Sequence, residues 1–335
     1  MRAVLLPGDG TVRVADIDRP DPGPGEVRVA VAVSCLCGSD RTLLRGDPVL
    51  PRAEAHVVPG HEIAGSIDAL GPGVAGLGVG DRVAIHVAVG CGVCDLCRSG
   101  DTIVCRRMRA VGFDLPGGDA EFVVVPVACC LPLPPGMSAL EGSLATDMFG
   151  TQFSAQTRMG ITAADRVLVT GLGPMGLAAV AVAAALGARV IASDPHEDRR
   201  ELATTLGAVD VLPVEPHAVE ELQGTMDVAI ECSGAPAAQR LALDSLTPFG
   251  RVALVGEGAR MELDVSRQLL RPMATLVGCW YFPTRQFRRC TDFLLDKRVG
   301  VTEIVSHVLG IEDAPTAFQL LDRRETGVHK IAFAV

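Results

Sequence analysis

The chain has 335 residues, 48% of them hydrophobic, and a formal net charge of -10. That length supports two domains with substantial cores, while the acidic balance gives phosphate backbones and anionic membranes little to attract, which counts against nucleic acid and membrane surfaces as partners. Eleven cysteines are too few for a disulfide scaffold of this size, and the opening MRAVLLPGDG lacks a basic stretch followed by an apolar one, so the expected setting is the reducing cytoplasm.

The first chemistry-bearing elements in chain order are Cys37-Gly38-Ser39-Asp40 and Gly60-His61-Glu62. A thiolate and an imidazole suit Zn2+, and a nearby carboxylate or hydroxyl orients ligands or moves protons, so together they could build an open metal site. Either piece alone is uninformative, since a cysteine near a glycine is most often a buried small thiol and a lone His-Glu pair is most often on the surface. Cys35 is expected in the core.

Further on, CGVCDLCRSGDTIVC spaces Cys91, Cys94, Cys97 and Cys105 so that one short loop can wrap a tetrahedral ion. Zn2+ takes four sulfur ligands at about 2.3 Å, and a closed tetrathiolate shell leaves no position for substrate, so an ion here would be structural. An iron–sulfur cluster or disulfides are the competing readings of this spacing. Cys129, Cys130, Cys232, Cys279 and Cys290 fit no ligand pattern and read as buried thiols.

No residue between Arg166 and Arg189 is charged, which imitates a membrane span, but Gly171, Gly173, Pro174 and Gly176 interrupt the run. It reads instead as strand, turn and helix: VLVTG, then GLGPMG with Pro174 and Met175 ahead of its last glycine, then LAAVAVAAALGA. In a nucleotide-binding unit Gly171 permits the tight turn, Gly173 lets the backbone approach a pyrophosphate, and Gly176 lets the helix pack on its strand. The helix N-terminus would face the phosphates. The next β-like run, RVIASD, ends in Asp194, where an acid accepts from the adenosine ribose and repels a 2′-phosphate, favouring NAD over NADP. Arg199 and Arg200, just beyond, could meet a phosphate. DVAIECSG and RVALVG, separated by the helical APAAQRLALDSL, continue the alternation expected of a parallel sheet.

Together CGSD, GHE, CGVCDLCRSGDTIVC, GGDAEF and the strand-bound GLGPMG, in this order, resemble the zinc-dependent medium-chain dehydrogenase/reductase family of alcohol and polyol dehydrogenases. The resemblance runs from MRAVLL, through DPGPGEVRV, to GVHKIAF. It implies an α/β chain with a GroES-like β-rich catalytic domain over 1–146, including a structural zinc lobe at about 88–108. A doubly wound parallel-sheet Rossmann domain would span 147–283, and residues 284–335 would return to the catalytic domain, with the active site in the cleft.

Carried over by motif, Cys37 and His61 match the first two catalytic zinc ligands, Asp147 of LATDMFGTQFSA the variable third, and Asp40 the carboxylate that steadies the histidine. Asp147 could alternatively do no more than start a helix. Glu62 matches an acid that approaches the metal during ligand exchange. Ser39 matches the hydroxyl that passes the alcohol proton onward. A histidine often completes that relay, but this chain reads Asp40-Arg41-Thr42-Leu43, which leaves Thr42 or water. Lys330 of GVHKIAF matches a basic position near the cofactor pyrophosphate, with Arg199 also on the cofactor side. Trp280 and Tyr281, the single tryptophan and tyrosine, fall where the family forms subunit interfaces, so a homodimer or homotetramer is expected.

The implied cofactors are two zinc ions and NAD, and the implied partner is a small alcohol or ketone. Asp119 of GGDAEF replaces a common aromatic; facing the cleft it would favour a hydroxyl-rich or amine-bearing substrate, and otherwise it would be a solvated loop carboxylate. A carboxylate third ligand and a short stretch between Cys37 and His61 resemble the polyol-type members. The expected reaction is oxidation of a secondary alcohol in a polyol, cyclitol, aminocyclitol or sugar-like compound, with L-threonine or a simple secondary alcohol as the alternative. A catalytically silent relative or a zinc-loop interaction module is opposed by the intact ligand set and by the acidic charge with the glycine motif.

Overall fold

The valine-rich run Glu26–Cys35 alternates as a strand with one buried face, and the structure, a computed structural model, uses it as the central strand of a seven-stranded sheet. Residues 1–46 and 58–335 are described, apart from 216, 218, 219, 259 and 324; part of the short stretch between Cys37 and His61, residues 47–57, lies outside them. Two compact units emerge, one of Met1–Asp147, Phe282–Leu295 and Val305–Val335, the other of Met148–Tyr281 and Asp296–Ile304.

In the first unit, Glu26–Cys35 pairs antiparallel with Glu62–Leu70, with Phe122–Pro126 and with the returning strand Lys330–Ala334. Val27, Val29, Ile63, Ile67, Val83 and Ile85 fill its core at 0–2% exposure, each such side chain contributing roughly 1.5–3 kcal/mol of burial. Register sets which loops meet at the sheet's end. Cys35 stands opposite both Glu62 and Ala332, and Leu36 N donates to Ile331 O at 2.9 Å. The turn after Cys35, the start of Glu62–Leu70 and the start of Lys330–Ala334 are therefore neighbours, although about 300 residues separate the first from the last.

The second unit holds a six-stranded, all-parallel sheet in the order Asp210–Leu212, Arg189–Ser193, Arg166–Thr170, Met226–Glu231, Leu246–Leu254, Thr275–Gly278. This is the dinucleotide-binding order, reversing at Arg166–Thr170. The uncharged run resolves as that strand and the helix Pro174–Ala185, buried from Gly176 to Ala183. No helix among the described residues is long and apolar enough to cross a membrane. Residues 296–304, expected with the returning C-terminal segment, belong to this unit because Val301 and Ile304, both 0% exposed, seat the short turn Val301–Ile304 on Pro174–Ala185.

Cys35, Cys129, Cys130 and Cys290 are buried as expected, while Cys232 and Cys279 are only half-buried. His86, fully buried in the first unit, accepts from Ala88 N through Nδ1, so Nε2 carries the proton and donates to Phe282 O at 2.9 Å. Burial holds the imidazole below its ordinary value of 6.5. The unfolded chain therefore binds a proton that the folded chain refuses, and this contribution to stability, complete above that ordinary value, declines as pH falls through it. We expect denaturation midpoints of the parent to fall on acidification from neutrality, with a shallower fall in His86→Gln; equal slopes in the two proteins would refute the assignment.

Candidate metal and cofactor sites

Three local structures converge on one point of the first unit. Cys37 leaves the central strand just before the short helix Asp40–Leu44, and Asp40 Oδ2 accepts from Cys37 N at 2.7 Å, fixing the turn. His61 opens Glu62–Leu70. Asp147 follows the helix Ala139–Leu144, which a Ser138–Glu141 capping box starts. Ser143 of that helix donates to Glu62 O at 2.7 Å and tethers the segment beside His61.

Asp147 Oδ2 lies 3.4 Å from Cys37 Sγ and 3.5 Å from His61 Nε2, and one Glu62 carboxylate oxygen falls within 4.8 Å of all three donors. Tetrahedral Zn2+ with ordinary bond lengths separates a sulfur and an oxygen ligand by about 3.5 Å, so the donors fit one ion. On the far side of the ring His61 Nδ1 is 3.6 Å from Asp40 Oδ1, and the Phe113 ring packs 4.8 Å from the imidazole. Burial and the Asp147 carboxylate push the Cys37 thiol up, with His61 opposing. Asp147 feels the same burial, yet its hydrogen bond with His61 and the His61 and Lys330 charges bring it below the usual carboxylate range. Acidic donors crowded in a dry site call for a cation.

Glu62 has a second partner, the Nζ of Lys330. This corrects the expectation that Lys330 serves the pyrophosphate: at 1% exposure its ammonium is spent on Glu62, and Glu62, Cys37, Cys35 and Asp147 hold it protonated against the desolvation that opposes its charge. Asp119 is corrected as well. It neither faces open space nor sits in solvent, but is 0% exposed and accepts from Ser34 Oγ at 2.6 Å. Ser39 Oγ is buried with no hydrogen-bond partner among the described residues, and Thr42 Oγ1 donates to Ser39 O at 2.6 Å.

The four-cysteine lobe gives Sγ separations of 3.9 Å for Cys91–Cys97, 3.5 Å for Cys94–Cys97 and 3.8 Å for Cys94–Cys105. Four thiolates around a single zinc lie about 3.8 Å apart, and a disulfide needs about 2.05 Å. A multi-iron cluster would spread the sulfurs over several metals. Backbone N–H groups of Val93 and Cys94, with Arg107, draw the Cys91 thiol down to about 5, whereas desolvation pushes Cys97 up to about 12. One divalent ion reconciles them.

In the second unit two of the three glycines of the turn are tightly enclosed. Gly171 has φ +83, and a Cβ there would meet Ser233 at 2.6 Å; one on Gly176 would meet Gly171 O at 1.8 Å. Gly173 caps the helix that Pro174 and Met175 begin, with nothing within 4 Å of its would-be Cβ. Asp194 Oδ2 accepts from Leu172 N at 2.7 Å and Oδ1 from His196 N at 2.9 Å, which lays the acid against the glycine turn. Arg199 Nη1 is 3.7 Å from Asp194 Oδ2, and Arg200 Nη1 is engaged by the carbonyls of Asp194 and Pro195.

Sequence reasoning missed the Glu62–Lys330 pair, the Ser34–Asp119 bond and the Phe113 contact. Only the β-register brings Lys330 to Glu62, and no local pattern carries that information.

A doubly wound nucleotide-type sheet in one unit and a cysteine-histidine-carboxylate donor set in the other define a metal- and dinucleotide-using oxidoreductase. Residues 23–135 match the alcohol dehydrogenase GroES-like domain and residues 174–296 match the zinc-binding dehydrogenase domain. The chain is 32% identical to the zinc-type alcohol dehydrogenase-like protein YphC of Escherichia coli K12 over 99% of both chains. It is 33% identical to the L-threonine 3-dehydrogenase of Pyrococcus horikoshii over 98% of this chain and 96% of that one. The crystal structure of galactitol-1-phosphate dehydrogenase from Escherichia coli superimposes over 100% of both chains with a TM-score of 0.91 at 27% identity. The chain belongs to the zinc-dependent medium-chain alcohol dehydrogenase family.

Two donor sets predict two zinc ions per chain by elemental analysis. Cys37→Ser should lose one and Cys105→Ser the other; a single zinc in the parent would remove the basis for one of the sites.

Proposed function

We propose that this alcohol dehydrogenase oxidises a secondary alcohol of a polyol, cyclitol, aminocyclitol or sugar-like compound to a ketone with NAD, at a metal held by Cys37, His61 and Asp147. The observation that carries this reading is the convergence of those three donors at tetrahedral spacing, and the Ser39 hydroxyl, two residues on from Cys37, is buried with no hydrogen-bond partner among the described residues. Zinc bound there supplies Lewis acidity that brings an alcohol hydroxyl toward ionisation at neutral pH, and NAD takes up the hydride.

The protein's own groups do the rest. Asp40, on the Nδ1 side of His61, sets the ring so that Nε2 faces Asp147. Ser39 Oγ would accept the substrate's hydroxyl proton as it passes its own to the nicotinamide ribose of bound NAD and from there to water. Thr42 Oγ1 donates a hydrogen bond to Ser39 O and so steadies the turn that carries Ser39. Lys330 balances Glu62 and keeps that carboxylate from adding an uncompensated charge beside the donor set.

A carboxylate third ligand and the fold shared with galactitol-1-phosphate dehydrogenase favour a hydroxyl-rich substrate. The runner-up is L-threonine, favoured by the match to L-threonine 3-dehydrogenase. Oxidation of polyols, cyclitols, aminocyclitols and 3-hydroxy amino acids, monitored by NADH absorbance, separates them. We expect turnover among the hydroxyl-rich compounds; turnover confined to L-threonine would replace this reading by the other, and none with either dinucleotide would overturn the dehydrogenase mechanism.

Asp194 at the glycine turn supports NAD, since a 2′-phosphate there would meet a carboxylate, and Arg199 is held by that same acid. Asp194→Ala should lower the ratio of kcat/KM with NAD to that with NADP by tenfold or more; an unchanged ratio would sink the assignment. A homodimer or homotetramer assembled through the second unit is supported by Thr275–Gly278 at the sheet edge and by Met273 and Trp280 nearby, 63% and 41% exposed.

A further inference from the structure

The backbone that carries His61 runs through a narrow passage. Gly60 has φ +94, and a Cβ there would meet Asp119 Oδ1 at 2.3 Å, Asp119 N at 2.6 Å and Ser34 Oγ at 2.7 Å. Opposite, a Cβ on Gly112 would meet Gly60 O at 2.6 Å and His61 Cβ at 3.2 Å. Three backbone bonds lace the same segment down: Gly117 N to Val58 O at 2.8 Å, Gly118 N to Gly60 O at 2.9 Å and Asp119 N to Pro59 O at 2.9 Å.

The Asp119 side chain completes this wall. Its Oδ1 accepts from Ser34 Oγ at 2.6 Å; both residues are 0% exposed, and Oδ2 is buried with no hydrogen-bond partner among the described residues. A leucine would fill similar space without the desolvation cost of a carboxyl, so filling space does not explain an acid here. Burial first, then the neighbouring Asp40, push this carboxyl up to about 7, with Ser34 and His61 opposing. Asp119 thus shares one electrostatic neighbourhood with Asp40 and the imidazole it steadies.

We propose that Asp119, locked by Ser34, is a positioning residue for the catalytic metal: it seats the Gly60-His61 segment, so that the imidazole meets the ion already oriented. Groups beyond the direct ligands that orient a ligating histidine typically change metal affinity 10–100-fold when removed. Asp119 acts through the histidine and touches no substrate. The inference rests on the Cys37-His61-Asp147 metal site proposed above.

The test is metal release from the full chain to a chelator, read by zinc content over time, with the d–d absorption of the cobalt(II)-substituted protein as a second readout. Asp119→Leu should release one of two metals at least tenfold faster than the parent, keep the four-cysteine zinc, and shift the cobalt spectrum. Asp119→Asn, which still accepts from Ser34, should restore retention to near the parent. If Asp119→Leu does not fold, Ser34→Ala reads the same hydrogen bond and should release the first metal several-fold faster. Parent-like release and an unshifted cobalt spectrum in Ser34→Ala, or in a folded Asp119→Leu, would overturn the role of Asp119. A parent with only the four-cysteine zinc would instead overturn the metal site on which it rests.

Discussion

The register of one strand governs the first unit. Glu26–Cys35 meets Glu62–Leu70 with Cys35 opposite Glu62, and meets Lys330–Ala334 with Cys35 opposite Ala332. A slip of one residue on either side would reverse which side chains face the core, and Val27, Val29, Ile63 and Ile67 forbid it because each would be brought into water. Hydrophobic burial, a non-directional force, therefore fixes a directional result: the turn holding Cys37, the segment holding His61 and the strand holding Lys330 arrive together. The helix Ala139–Leu144 then adds Asp147 through the Ser143 tether to Glu62 O.

This arrangement concentrates acid in a place with little water. Cys37, Glu62 and Asp147 crowd one point, with Asp40 and Asp119 close behind His61. Lys330 is the ammonium committed to that crowd, and removing one partner of a buried ion pair costs about 3–5 kcal/mol because the other is left uncompensated. The pair is also geometrically exacting, since Lys330 opens its strand and Glu62 opens the facing one. Lys330 offsets one carboxylate, and a divalent ion is what the remaining donors are arranged to receive.

Sequence separation decides what is legible in the chain before it folds. The glycine turn, the four-cysteine loop and the alternation of the second unit are local, because the residues that make each feature lie within one loop or one strand-turn-helix, and each takes the form its spacing implies. Cys37, His61 and Asp147 can be found across longer distances because family motifs stand in for a contact map. Lys330 and Asp119 are misread because their partners, Glu62 and Ser34, lie 268 and 85 residues away. A lysine in a terminal strand and an aspartate in a glycine loop look like surface residues until the register is known.

The two zinc-type sites differ in what the surrounding chain can do alone. Around the four cysteines the ordered elements are a helix of four residues, Asp95–Arg98, and a turn of three, Thr102–Val104, with Ile103 and Cys105 as their buried apolar contributions. So small a core cannot offset the conformational entropy of ordering the lobe, and the bonds from Thr284 N to Gly100 O and from Arg285 to Asp101 attach it at one edge. Metal binding there is folding free energy. Around Cys37 and His61 the reverse holds: the sheet, the Ser138 cap and the clamp on Gly60 are formed from protein groups, so an ion entering that site finds its ligands already placed. The two sites differ in ligand count as well: four thiolates would close a tetrahedral shell, whereas Cys37, His61 and Asp147 would leave one position of a bound ion open.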